Sequence, residues 1–138
     1  MSGKSLVIDA NILIRAVLGR RARDLLFTHA DTVRFYAPDV AYADARHYLP
    51  GLLIRRGLDP AAAMLVLDQL EIIVRPVDAE LYETQALRRI ESRDADDWPV
   101  LACAILLNCP IWTEDADFFG TGVATWTSDR VELYLMAE

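Results

Sequence analysis

Ser5-Leu6-Val7-Ile8-Asp9-Ala10-Asn11-Ile12-Leu13 sets an apolar run directly against an aspartate and then the start of a helical pattern. It reads as a strand followed by a helix over Asn11 to Leu18. Asp9, Asn11 and Arg15 interrupt the stretch and no small-residue cleavage site follows, so the strand and helix are expected in preference to a signal peptide. Working outward, other acids stand in comparable places. Asp97 precedes Trp98-Pro99-Val100-Leu101-Ala102, and Asp115 follows Pro110-Ile111-Trp112-Thr113-Glu114. Asp44 lies inside the segment from Asp39 to Leu49.

Short apolar runs alternate with longer helical patterns, the signature of βαβ units and a parallel sheet. The expected strands are Ser5 to Ile8, Arg34 to Ala37, Ile72 to Val77, Ile111 to Thr113 and Val123 to Trp126. The expected helices are Asn11 to Leu18, Arg23 to Ala30, Asp39 to Arg55 with a break near Pro50-Gly51, Pro60 to Leu70, Ala79 to Ser92, Trp98 to Leu107 and Asp129 to Met136. Asp39 and Asp59 read as helix caps. No repeat, linker or low-complexity tract divides the chain, so residues 1–138 read as one domain.

Ligands in such a sheet collect outside the carboxyl ends of the strands. Asp9 and Asp115 follow two of those ends, and Asp97 sits in the first turn of a helix, where negative charge is favoured. Singly, each acid is explained by a cap or a turn. Jointly they call for a cation, because neighbouring carboxylates repel and raise one another's pKa values unless positive charge offsets them. Oxygen-only ligands suit Mg²⁺ or Mn²⁺, one ion or two at roughly 3.5–4 Å separation. Such an ion acidifies water for attack on a phosphodiester and stabilises the leaving oxygen.

A net charge of −7 excludes a protein whose main work is coating nucleic acid, since that requires a basic face. It does not exclude a nuclease, whose metal ligands count as negative until the ion binds. No run approaches the roughly twenty apolar residues of a membrane span, so no membrane association is expected and the cytoplasm is the expected compartment. Cys103 and Cys109 match no zinc spacing and read as buried free thiols. His29 and His47 read as surface residues. Trp98, Trp112 and Trp126 read as core in preference to base-stacking platforms. All basic residues but Lys4 are arginines, and the cluster Arg20, Arg21 and Arg23 is either a phosphate contact or a solvated helix start.

The residues together resemble the PIN domain, the metal-dependent nuclease fold of VapC-type toxins. The resemblance is carried by Val7-Ile8-Asp9-Ala10-Asn11-Ile12-Leu13, by Tyr36-Ala37-Pro38-Asp39-Val40 continuing to Asp44-Ala45-Arg46, by Asp97 to Ala104, and most specifically by Pro110 to Phe119. It implies an α/β three-layer sandwich, with a central twisted, mostly parallel five-stranded sheet flanked by helices. It also implies acids that bind Mg²⁺ or Mn²⁺ and cleave RNA. Asp9, Asp97 and Asp115 fall on the family's aspartates and Asp44 on its usual glutamate. Aspartate is one methylene shorter, which implies contact with the metal through water. Asn11 and Thr113 match polar positions that orient the acids, Asp117 a supplementary outer ligand, and Asp96 competes with Asp97; Thr113 and Asp117 read equally as caps of the short turn at Phe118. The family further implies a homodimer and a small antitoxin protein as partner. Ile12, Leu13, Val17, Leu25, Leu26 and Phe27 supply either such surfaces or core.

Two other functions compete with a ribonuclease. A receiver-type signalling domain also gathers acids at strand ends but needs a lysine after a late strand, and the only lysine is Lys4. A PIN-like binding module without activity is the other, with Asp44 as its symptom.

Overall fold

Leu6, Val7 and Ile8 are all fully buried, as a strand covered on both faces must be. They belong to β1 (Lys4–Ile8) of the computed structural model, which describes residues 3–90 and 94–137. The other strands are β2 (Val33–Pro38), β3 (Val74–Val77), β4 (Ile111–Trp112) and β5 (Thr125–Trp126). They form one sheet in the order β3-β2-β1-β4-β5, and every pairing is parallel. The helices are α1 (Ala10–Leu18), α2 (Arg21–Thr28), α3 (Asp39–Arg55), α4 (Pro60–Ile73), α5 (Glu83–Ile90), α6 (Trp98–Leu107) and α7 (Val131–Met136).

Alternation along the strands divides the interior into two cores. Leu6, Ile8, Phe35 and Trp112 pack with α1 to α4 and α7, while Val7 and Ile111 pack with α5 and α6. Helices on both faces of a central sheet make the three-layer α/β sandwich. Each buried Leu or Ile contributes about 1.5–3 kcal/mol of transfer free energy. Ile12, Leu13, Val17, Leu25 and Leu26 belong to this core, and only Phe27 of that apolar set is exposed. Trp112 is fully buried and Trp98 and Trp126 pack against the cores. Cys103 is buried and Cys109 half-buried, both as free thiols. Among the described residues, no helix is long and apolar enough to cross a membrane.

Several boundaries differ from the sequence expectation. Helix α3 runs unbroken through Pro50. A helical proline costs about 3 kcal/mol, and burial of Leu49 and Leu53 on either side holds the segment in register. Helix α4 continues to Ile73, so Ile72 is a largely exposed helical residue and β3 begins at Val74. Thr113 and Val123 lie just outside β4 and β5. Asp59 caps α4 by accepting from the Ala61 N–H at 3.0 Å. Asp39 is instead the first residue of α3, whose cap position belongs to Pro38. Tyr82 closes a 3₁₀ turn (Glu80–Tyr82) ahead of α5, and the expected end of that helix at Ser92 lies outside the described residues.

The strand order creates one reversal. From β1 the chain winds through β2 to β3 on one side, then crosses to β4 and β5 on the other. Open α/β sheets bind ligands at such a switch point, outside the carboxyl ends of the strands.

Candidate functional site

At the switch point Ile8 pairs with Trp112, so the residues that follow them, Asp9 and Thr113, emerge side by side. The Thr113 hydroxyl donates to Asp9 Oδ2, and Asp9 Oδ1 accepts from the Ile12 N–H at 3.0 Å. Asp9 is thus the N-cap of α1 and is also bound across the sheet, at 8% exposure. Burial raises its carboxyl pKa, the Thr113 and Ile12 bonds work against that, and the nearby Asp115 charge adds to it. Thr113 Oγ1 in turn accepts the Asp115 N–H at 2.9 Å, and Asp115 Oδ1 accepts the Asp117 N–H at 2.9 Å. The chain after β4 is therefore wound tightly around its own acids.

Asp97 arrives from a different element. It occupies the N-cap position of α6, yet its side chain makes no bond to the helix. Its Oδ2 is shut away from solvent without a hydrogen-bond donor among the described residues. A cap would have used that carboxylate, so the capping explanation fails for Asp97 although it holds for Asp9. Burial first, then hydrogen bonding with the Asp115 carboxyl and the charges of Asp115, Asp94 and Asp117, raise its pKa to about 7. No positive charge among the described residues offsets it.

These acids meet in one recess of about 220 Å³, lined by Asp9, Asp44, Asp97 and Asp115, with Asn11 and Asp96 on its wall. Asp44 projects from the body of α3 and is exposed. Thr113 and Asp117 stand behind the recess and act on its acids by hydrogen bonding. The tightest convergence is not the expected set. Oxygens of Asp94, Asp97 and Asp117 lie within 4.8 Å of one another, and no other three acids among the described residues converge so closely. Asp94 escaped sequence reasoning because its side chain also caps the 3₁₀ turn Ala95–Asp97, accepting the Asp96 N–H at 3.0 Å. Its place three residues before Asp97 was the available signal.

The donor set fits a hard divalent ion. All its ligand atoms are carboxylate oxygens, one is buried without a donor among the described residues, and no basic side chain among those described lines the recess. The described basic residues that the sequence singled out stand elsewhere. Arg20 and Arg21 line a second recess at the far end of α1, whereas Arg23 is half-buried on α2 and outside it. Lys4 Nζ donates to the carbonyls of Tyr134 and Leu135 at 2.9 and 3.4 Å, at the amino end of β1, remote from the acids. His47 is exposed and His29 ends α2; neither touches the recess.

Comparison with known proteins agrees with this fold. The family model described as PIN domain matches residues 7–136. No curated protein sequence matches. Among solved structures, one chain of VapBC2 from Rickettsia felis, crystallised bound to a DNA fragment from their promoter, superposes with a TM-score of 0.68. It is 13% identical, and the match covers 89% of this chain and 98% of that one, so it is similar in fold.

Proposed function

This chain belongs to the PIN domain family, and from that premise we propose that it is a divalent-metal-dependent endoribonuclease, the toxin of a toxin–antitoxin pair. The observation that carries the reading is Asp97. It holds a buried, donor-free carboxylate oxygen beside Asp115, in a recess shared with Asp9 and Asp44 at the sheet's switch point. A cation is the partner that such an arrangement calls for, and none of the described side chains supplies it.

In this reading Asp9, Asp97 and Asp115 hold Mg²⁺ or Mn²⁺, with Asp44 acting through water. Bound there, the metal supplies an acidified water and charge stabilisation for the leaving oxygen. The chain's own groups set the stage. Thr113 fixes Asp9 with its hydroxyl and Asp115 through its oxygen, Asp117 fixes Asp115, and α1 clamps the other oxygen of Asp9. Asn11 and Asp96 flank the acids, and Asp94 with Asp117 offers Asp97 an outer ligand set. Water oxygen bonds to phosphorus, the bond to the 3′ oxygen breaks, and that oxygen takes a proton, leaving a 5′-phosphate and a 3′-hydroxyl. The substrate is RNA, met in the cytoplasm. The partners are a small antitoxin protein and a second copy of the chain, and the likeness to VapBC2 supports the former.

The receiver alternative loses its support, since Lys4 is spent on the carbonyls at the end of α7. RNA cleavage in Mg²⁺ or Mn²⁺ by wild type and Asp97→Asn tests the proposal. The variant should lose about a thousand-fold in rate, the size of several kcal/mol of charge stabilisation. A fully active variant would overturn it, and a wild type that neither cleaves nor binds either ion would place the chain among the inactive modules.

A further inference from the structure

The recess at the far end of α1, about 370 Å³ in volume, is lined by Arg15, Arg20, Arg21 and Arg56, with Ser128 on one wall. Three elements build it: the last turn of α1, the start of α2 and the residue that ends α3. Among the described residues the only ion pairs are those of Arg46, with Asp68 and Glu71 at 2.9 Å. None of the four recess arginines therefore has a carboxylate within ion-pair distance among the described residues. In a chain of net charge −7, four arginines gathered on one recess without an ion-pair partner among the described residues repel one another.

Helix electrostatics explains only half of the cluster. Arg15 and Arg56 stand at helix carboxyl ends, where cations are favoured. Arg20 and Arg21 stand at the amino end of α2, where cations are disfavoured, and Arg20 in the cap position leaves the first N–H groups without a side-chain acceptor. Free N–H groups and guanidiniums at a helix amino end are anion-binding features. Arg21 is aimed by a bond from its Nη2 to the Ser128 carbonyl at 2.9 Å. Arg15 joins this recess to the acidic one: it lines the basic wall, and its charge is close enough to act on Asp9. The path between them is the length of α1, about 13 Å at 1.5 Å per residue.

We propose that the Arg15, Arg20, Arg21 and Arg56 recess is a phosphate subsite that holds the RNA backbone a short distance from the cleaved bond. The proposal rests on the nuclease reading. The acids repel phosphate until a metal binds, so a chain of this charge needs a separate place to gain affinity for RNA. Arginine suits that place because its fork grips a phosphate by two parallel hydrogen bonds.

The test compares wild type with Arg20→Ala/Arg56→Ala, two exposed residues that make no side-chain bond among those described, in binding and cleaving a long single-stranded RNA and a dinucleotide. Dinucleotide cleavage should be unchanged, which also reports an intact fold. Affinity for the long RNA should fall at least ten-fold, and the slope of log K against log salt should shrink by about 1.4, at about 0.7 per phosphate contact on a single strand. Unchanged affinity and slope would overturn the subsite while leaving the nuclease standing. Arginine-dependent binding by a wild type that cleaves nothing would support the subsite and sink the nuclease. Inorganic phosphate that raises the melting temperature of wild type, with RNA binding indifferent to the variant, would make the recess a free-anion site and overturn the proposal. An effect on acidic peptide binding alone would overturn it too.

Discussion

The two ends of α1 gather ionisable groups of opposite sign, and they bear that crowding differently. At the amino end, burial and neighbouring acids push the carboxyls of Asp97 and Asp9 toward the protonated form, Asp97 to about 7. At the carboxyl end, arginines have no such escape, since guanidinium stays charged at any relevant pH. They remain at the surface, where water screens them, and only Arg15 and Arg56 are helped by a helix end. One end is thus a set of partly buried carboxyls pushed toward the protonated form by burial and by one another's charge, and the other an open set of arginines that stay charged. Metal should change folding stability strongly, and phosphate only weakly.

The largest effect after loss of catalysis should be on stability at the acidic end. Mn²⁺ at about 100 times its dissociation constant adds about 2.7 kcal/mol, a rise in melting temperature on the order of 10 °C. Without metal, the pH dependence runs opposite to that of an ordinary carboxylate. The folded Asp97 carboxyl keeps its proton up to about pH 7, whereas the unfolded one releases it near 3.8. Between those values the folded state binds more protons, so this group makes stability fall as pH rises. Thermal melts of the metal-free protein across that window should show the decline, and Asp97→Asn should flatten it and melt above wild type at pH 8. A wild-type melting temperature that climbs from pH 4 to 7 to the same extent as the variant's would remove the strain from the acidic end, and with it the contrast.

Next in size is Thr113. Its hydroxyl is fully buried, donates to Asp9 and accepts from Asp115, so Thr113→Val leaves both partners short of one bond. The expected cost is about 1–3 kcal/mol of unfolding free energy in denaturant titration. Metal affinity should fall with it, because the side chains it aligns are the candidate ligands. A variant equal to wild type in both would show that strand register alone places Asp9 and Asp115.

What could be read in the sequence follows the same division. Asp9, Asp97 and Asp115 were legible because each adjoins an apolar run or helix, so its place in the fold is a local fact. Asn11 and Asp96 came with them as chain neighbours. The three-layer sheet was legible from the alternation of runs. The basic recess was not, because Arg56 reaches Arg20 only through the packing of α3 on α1, and Arg23, adjacent in sequence, turns away from it. Asp94 was hidden by a 3₁₀ turn whose capping requirement already accounts for an aspartate there. The unbroken α3 was hidden by Pro50, a local signal that buried Leu49 and Leu53 override.

Asp44 should give the smallest effect, and it bears most directly on how rigid the acidic end is. Unlike Asp9 and Asp115, which are fastened by their own hydrogen bonds, Asp44 reaches the recess from an exposed position on α3 with no side-chain bond among those described. Lengthening it by one methylene in Asp44→Glu lets the carboxylate approach the other acids directly. The change should raise single-turnover cleavage by up to about ten-fold, equivalent to 1.4 kcal/mol, and leave metal-free stability within about 0.5 kcal/mol, as exposed substitutions do. A slower enzyme would mean that the recess is already matched to the shorter side chain. Asp44 would then be as fixed in its role as the three acids at the switch point, and the acidic end would have no loose member.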